Sequence, residues 1–124
     1  MISDAQLIQR ARELLNPWKL SPSASSGTVA SALVTELGKV YVGVCIDTGS
    51  SMGFCAEHNA IGTMITHGEN RIATIVAVHQ DGRILAPCGR CREFISQIHP
   101  GNKKARVLLS GNQVKHLAEL LPEN

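Results

Sequence analysis

Ile72-Ala73-Thr74-Ile75-Val76-Ala77-Val78-His79 is nearly all apolar or β-branched and is followed by the turn Asp81-Gly82. A run of that length and composition predicts a central strand buried on both faces. Before it, Ala60, Ile61, Met64 and Ile65 lie at helical spacing until His67-Gly68. After it, Pro87 to Cys91 opens a second helix through Phe94, Ile95 and Ile98, which Pro100-Gly101 stops. Farther out, Thr28 to Thr35 and Lys39 to Ile46 flank Glu36-Leu37-Gly38 and predict a β-hairpin. Ser3 with Gln6 forms a capping box for a first helix expected to reach about Leu15, and Asn16-Pro17 ends it. The serine-rich stretch from Ser21 to Gly27 predicts a surface loop, Arg106 to Ser110 a last strand, and His116 to Leu121 a short helix ending at Pro122. The order is helix, hairpin, helix, strand, helix, strand, helix. Strands joined through single helices pair in parallel, so the expected class is α/β, a mixed sheet covered by helices.

The 124 residues fit one domain, 1–124, with enough length to bury an ordinary core without disulfides. At 44% hydrophobic and 18% charged, the composition excludes disorder for the bulk of the chain. Twelve Lys and Arg against ten Asp and Glu give +2, scattered rather than gathered, which points to neither a nucleic-acid nor a membrane partner. No apolar run approaches the roughly 20 residues of a membrane span. Asp4, Arg10, Arg12 and Glu13 interrupt the amphipathic start, unlike a secretory leader, so a cytoplasmic location is expected. In that reducing compartment four cysteines are thiols or metal ligands rather than cystines.

Their positions carry the chemistry. Cys55-Ala56-Glu57 and Pro87-Cys88-Gly89-Arg90-Cys91 each stand where a helix begins. If the two helix starts lie side by side, Cys55, Cys88 and Cys91 converge. Three thiolates on Zn²⁺ leave the fourth tetrahedral position open, the arrangement of a catalytic rather than a structural zinc. Helix N-termini favour the thiolate forms. Cys45 offers a fourth sulfur and hence an inert site, but it lies in a predicted strand, outside any ligand pair. Glu57, two residues beyond a ligand, is placed to act as general base and then general acid. Cys-x-Glu followed by Pro-Cys-x-x-Cys is the signature of zinc deaminases. The bland alternative for Glu57 is a glutamate that merely complements a helix dipole.

On these motifs, together with Val29-Ala30-Ser31-Ala32, Gly43-Val44, the run Ile84 to Arg92, His99-Pro100-Gly101 and Leu120-Leu121-Pro122, the chain resembles the small cytidine deaminase family. Within it the motifs are most similar to those of the blasticidin-S deaminases. The resemblance implies a three-layer α/β/α fold, a homotetramer with shared active sites, one zinc per subunit, and hydrolytic loss of ammonia from C4 of a cytosine nucleoside. A nucleoside antibiotic is the alternative substrate. It further implies that Glu57 protonates N3 and the leaving amine, and that the Ala56 carbonyl accepts a hydrogen bond from that amine. Cys45 and Asp47 stand where typical members carry the Asn and Glu that hold the ribose, and Cys is a poor hydrogen-bonding replacement for Asn. Where many members have Arg after the glutamate, this chain has His58. Arg90 is placed to donate hydrogen bonds to the sulfurs instead, its alternative being an exposed turn residue. The remaining histidines, His67, His79, His99 and His116, show no ligand spacing, and Phe54 and Trp18 are assigned to packing ahead of a base pocket. A partner-binding zinc module and a nucleic-acid deaminase are the rivals from other classes. The second needs a basic, aromatic-studded groove that Trp18, Tyr41, Phe54 and Phe94 do not supply.

Overall fold

The computed structural model describes residues 1–121. Its centre is the strand expected there: β4 (Ile72–His79), with five consecutive residues, Thr74 to Val78, buried on both faces. On one side β4 pairs antiparallel with β2 (Ala24–Thr35), and β3 (Val40–Thr48) pairs antiparallel on the far edge of β2. On its other side β4 pairs in parallel with β6 (Arg106–Leu108), matching Thr74 to Arg106 and Ile75 to Val107. The short strands β1 (Trp18–Ser21), β5 (Ile84–Leu85) and β7 (Val114–His116) complete a seven-stranded mixed sheet.

Three helices cover it. Helix α1 (Asp4–Arg12) lies on one face, where Leu7 and Ala11 pack with Ala30, Ala32, Val34, Val76, Val78 and Leu108. Helices α2 (Ala56–Thr66) and α3 (Gly89–Ile98) cover the other, with Ala60, Ile61, Met64 and Ile95 against Leu33, Ile75 and Val107. The alternation of β2 thus feeds two cores, and the three-layer α/β/α expectation matches the structure.

Three local expectations change. The capping box is present, but α1 ends at Arg12. Leu14 and Leu15 close a tighter i→i+3 turn and still pack on the core. The stretch from Ser21 to Gly27 is mostly strand: Pro22-Ser23 turns β1 into β2, whose early residues pair with both β1 and β3. Ser26 Oγ donates to Cys45 O at 2.9 Å, so serines that look like loop residues are satisfied inside a sheet. Beyond β6 the chain forms the hairpin strand β7 and a 3₁₀ turn at Leu117–Leu120 instead of a helix; Pro122, its expected end, lies outside the described residues.

Close backbone approach fixes α2 and the loop before it. A Cβ on Gly43 of β3 would lie 2.5 Å from Ala60 N, so only glycine lets α2 settle on β3. Asn59 Nδ2 donates to Val44 O at 3.0 Å across the same contact. At Gly53 a Cβ would meet Ile46 O at 2.0 Å, and there Phe54 and Ile46 exchange two backbone hydrogen bonds that pin the loop to β3.

Asn102, fully buried, joins three elements. Its Oδ1 accepts from Ile72 N at 2.8 Å, and its Nδ2 donates to Asn70 O and Ile95 O at 3.0 and 3.1 Å. Asn102→Ala leaves these groups unpaired and is expected to lower unfolding free energy by about 2–4 kcal/mol, read from urea denaturation with an unchanged m-value. At the other end, Arg106 grips the Asp4 carboxylate at 2.8 and 2.7 Å, which holds the Asp4 pKa below the usual range. The pair is partly exposed, so screening keeps its contribution at about 0.5–1 kcal/mol. A carboxylate depressed in the folded state adds stability above its unfolded pKa of about 3.9 and loses it as pH falls through the folded value. Asp4→Asn is therefore expected to lower Tm at pH 7, with the gap to the parent protein closing in acid below about pH 4.

Candidate active site

Helices α2 and α3 begin beside one another. Cys55 is the N-cap of α2 and Cys88 the N-cap of α3, and neither sulfur makes the usual capping bond back to its own helix. They face each other instead: Cys55 Sγ lies 3.7 Å from Cys88 Sγ, and Cys88 Sγ lies 3.5 Å from Cys91 Sγ. All four cysteines are free thiols. Three sulfurs on a tetrahedral zinc with bonds of about 2.3 Å stand about 3.8 Å apart, so these two separations suit that ion. Cys91 is buried behind Cys88, which is exposed.

The fourth donor nearby is His58. Its Nδ1 is 3.3 Å from Cys91 Sγ, and Cys55, His58 and Cys91 offer ligand atoms within 4.8 Å of one another. The ring stacks on Phe94 with centroids 4.4 Å apart and planes within 5°. Burial, then the charge of Arg90, lowers the His58 pKa, favouring the neutral ring. A neutral imidazole with its N–H toward a sulfur eases the negative charge that three thiolates leave on Zn²⁺. The sequence had placed this task on Arg90. Arg90 is exposed and its guanidinium makes no hydrogen bond to a sulfur among the described residues; it lines the pocket. The signal for His58 lay in its spacing, three residues from Cys55 and so one helical turn along the same face.

Electrostatics differ among the thiols. Burial pushes the Cys91 thiol far up, with the Glu57 charge adding to it. Burial also raises Cys55. At Cys88 burial opposes ionisation, but the backbone N–H groups of Cys91 and Arg90 and the neighbouring thiols outweigh it, and its pKa falls. Cys88 is thus the thiol readiest to ionise.

Glu57, in the first turn of α2, is buried, and that burial holds its carboxyl above the usual carboxylate range. It forms part of the wall of a cavity of about 420 Å³ that also meets Cys55, Cys88 and the buried Ala56. Phe54 stands on this wall as well, whereas Trp18 is exposed on β1 and does not line the cavity. Cys45 and Asp47 of β3 line the same cavity. Cys45 Sγ accepts from Val29 N at 3.4 Å, lies 3.3 Å from Thr28 Oγ1, and reaches Asp47 Oδ2 at 3.6 Å. Cys45 therefore stands apart from the three-sulfur cluster, engaged with β2 and Asp47. Seven of the eight sequence-predicted site residues share one cavity, and Cys91 lies behind its wall. Thr28 on β2 and Ala77 on β4 also line it without any motif pointing to them, as do Val29 and Leu85, which fall in stretches that carry the family resemblance but had no site role assigned. The other four histidines serve local structure: His99 Nδ1 accepts from Gly101 N, and His79 pairs with Asp81.

The chain has relatives among known proteins. The chain is 33% identical over 104 residues to a blasticidin-S deaminase of Bacillus cereus, covering 76% of this chain and 74% of that one. It is 30% identical over 97 residues to a cytidine deaminase of Halalkalibacterium halodurans, covering 76% and 74%. Among solved structures, the cytidine deaminase of Burkholderia pseudomallei superposes with a TM-score of 0.78 at 27% identity, over 98% of both chains. That of Mycobacterium leprae gives 0.82 at 24% identity over 99% of this chain and 100% of the other, a likeness of fold. Residues 1–107 match the family described as the cytidine and deoxycytidylate deaminase zinc-binding region. The chain belongs to this zinc-binding deaminase family.

Proposed function

We propose that the protein hydrolyses the C4 amine of a cytosine nucleoside, cytidine or deoxycytidine, releasing ammonia and leaving the uracil product. The observation that carries this is a buried Glu57 carboxyl on the wall of a nucleoside-sized cavity, two residues from the first sulfur of the Cys55, Cys88, Cys91 cluster. The three sulfurs are the metal ligands in this reading. A zinc ion held by them supplies Lewis-acid activation that makes a water nucleophilic at neutral pH. Glu57 accepts a proton from the attacking water, delivers it to ring N3, and passes the next to the leaving amine. Burial suits this double duty, because a carboxylate with a raised pKa is a stronger base that takes the water's proton more readily than an ordinary one and holds it for delivery to the ring. The Ala56 carbonyl receives the amine, and Phe54 flanks the ring.

Asp47 accepts a hydrogen bond from a sugar hydroxyl at the end of the cavity formed by β3. The exposed apolar side chains of Trp18, Leu20 and Met52 support burial between subunits, and the resemblance to the family makes a homotetramer the assembly proposed. Among the described residues no helix is long and apolar enough to cross a membrane, and the free thiols fit the cytoplasm. A second reading, deamination of blasticidin S, is favoured by the similarity to an enzyme of that name.

Ammonia release by the zinc-loaded protein, assayed on cytidine, deoxycytidine, cytosine and blasticidin S, tests the reaction. The nucleosides are expected to react, and Glu57→Gln to lower kcat by at least about 10²-fold. Silence on both nucleosides alongside turnover of blasticidin S would transfer the assignment to the antibiotic. Asp47→Ala is expected to raise KM for cytidine about tenfold or more while leaving kinetics on free cytosine nearly unchanged, and equal effects on both would remove its sugar-binding role.

A further inference from the structure

We propose that Arg92 is a positioning residue for the sulfur pair Cys88 and Cys91, locking the turn that sets the separation of the two thiols. The proposal rests on the reading of those cysteines as metal ligands. Pro87 opens this turn and Arg92 closes it. Arg92 Nε donates to Pro87 O at 2.8 Å, and Arg92 Nη1 donates to Leu120 O at 3.2 Å. Inside that clamp the Arg92 backbone N–H donates to Cys88 O at 3.0 Å.

The need for a clamp follows from the helix start itself. An N-cap residue ordinarily holds the first turn through its side chain. Cys88 forms no side-chain capping bond, its sulfur facing the other thiols, and the N–H groups of Arg90 and Cys91 favour its thiolate without closing that bond. Arg92 supplies the missing restraint from the other side, fixing the peptide that precedes the cap. Its second anchor is firm: Leu120 ends the 3₁₀ turn that begins at Leu117, a fully buried residue whose N–H donates to Ala105 O at 2.9 Å. The orientation of the sulfur pair is thereby referred to the core packed under α3. A rigid guanidinium fork holds two carbonyls at once, which the single head group of lysine does not. The neighbouring Arg90, exposed and without such bonds among the described residues, has no comparable role.

The test is zinc affinity, measured by chelator competition on the metal-free parent, Arg92→Met, Arg92→Lys and Arg106→Met. Loss of an outer partner of a metal ligand typically weakens binding by about 10–100-fold, and that is the fall expected for Arg92→Met, with Arg92→Lys in between. The Co²⁺-substituted spectra of both Arg92 variants should shift. Arg106→Met, which cuts a remote anchor, should lower Tm while keeping parental zinc affinity. Parental affinity and spectrum in Arg92→Met would overturn the proposal; if that variant does not fold, the same result in Arg92→Lys would do so. A parent that binds no zinc would overturn the ligand reading and the proposal with it.

Discussion

Everything at this site depends on two helices starting beside one another with their first residues turned inward. Cys55 and Cys88 occupy N-cap positions, yet each gives up the capping bond to face the other sulfur. Uncapped helix starts cost about 1 kcal/mol each, a loss tolerated where backbone N–H groups and their dipoles favour thiolates. The sheet makes the meeting possible. β3 and β4 flank β2 and run parallel to each other, so the segments leaving both reach the same end of the sheet. Gly43 then lets α2 close down on β3, and the bridge between Ile46 and Phe54 fixes the loop that delivers Cys55.

The cavity divides its labour along β3. At one end stand the thiols and Glu57, the reacting centre of the proposed reaction, where burial sets the carboxyl above its usual range. At the other, Cys45 is occupied with Val29, Thr28 and Asp47 and has little left to offer a ligand. Asp47 keeps an exposed carboxylate there, beside the exposed hydroxyls of Thr48 and Ser51, which suits the proposed recognition of hydrogen-bond donors at this end.

Much of this was legible in the sequence, for identifiable reasons. The Ile72 to His79 run could only be a strand covered on both faces, and the two cysteine motifs marked helix starts through their proline and glycine neighbours. Ser21 to Gly27 misled because small polar residues signal loops, whereas Ser26 here is buried and bonded across the sheet. β7 has three exposed residues and therefore no hydrophobic pattern to detect. The turn of His58 toward Cys91, the engagement of Cys45 with Val29 and the clamp of Arg92 on Leu120 join residues far apart in the chain, and only the fold brings them together.

The central claim is a zinc held by three thiolates with its fourth position open to water. X-ray absorption at the zinc edge of the loaded protein addresses it directly. The account predicts three sulfur neighbours at about 2.3 Å and one oxygen at about 2.0 Å, without the outer-shell scattering of an imidazole. Four sulfurs, or two sulfurs with His58 bound, would contradict it.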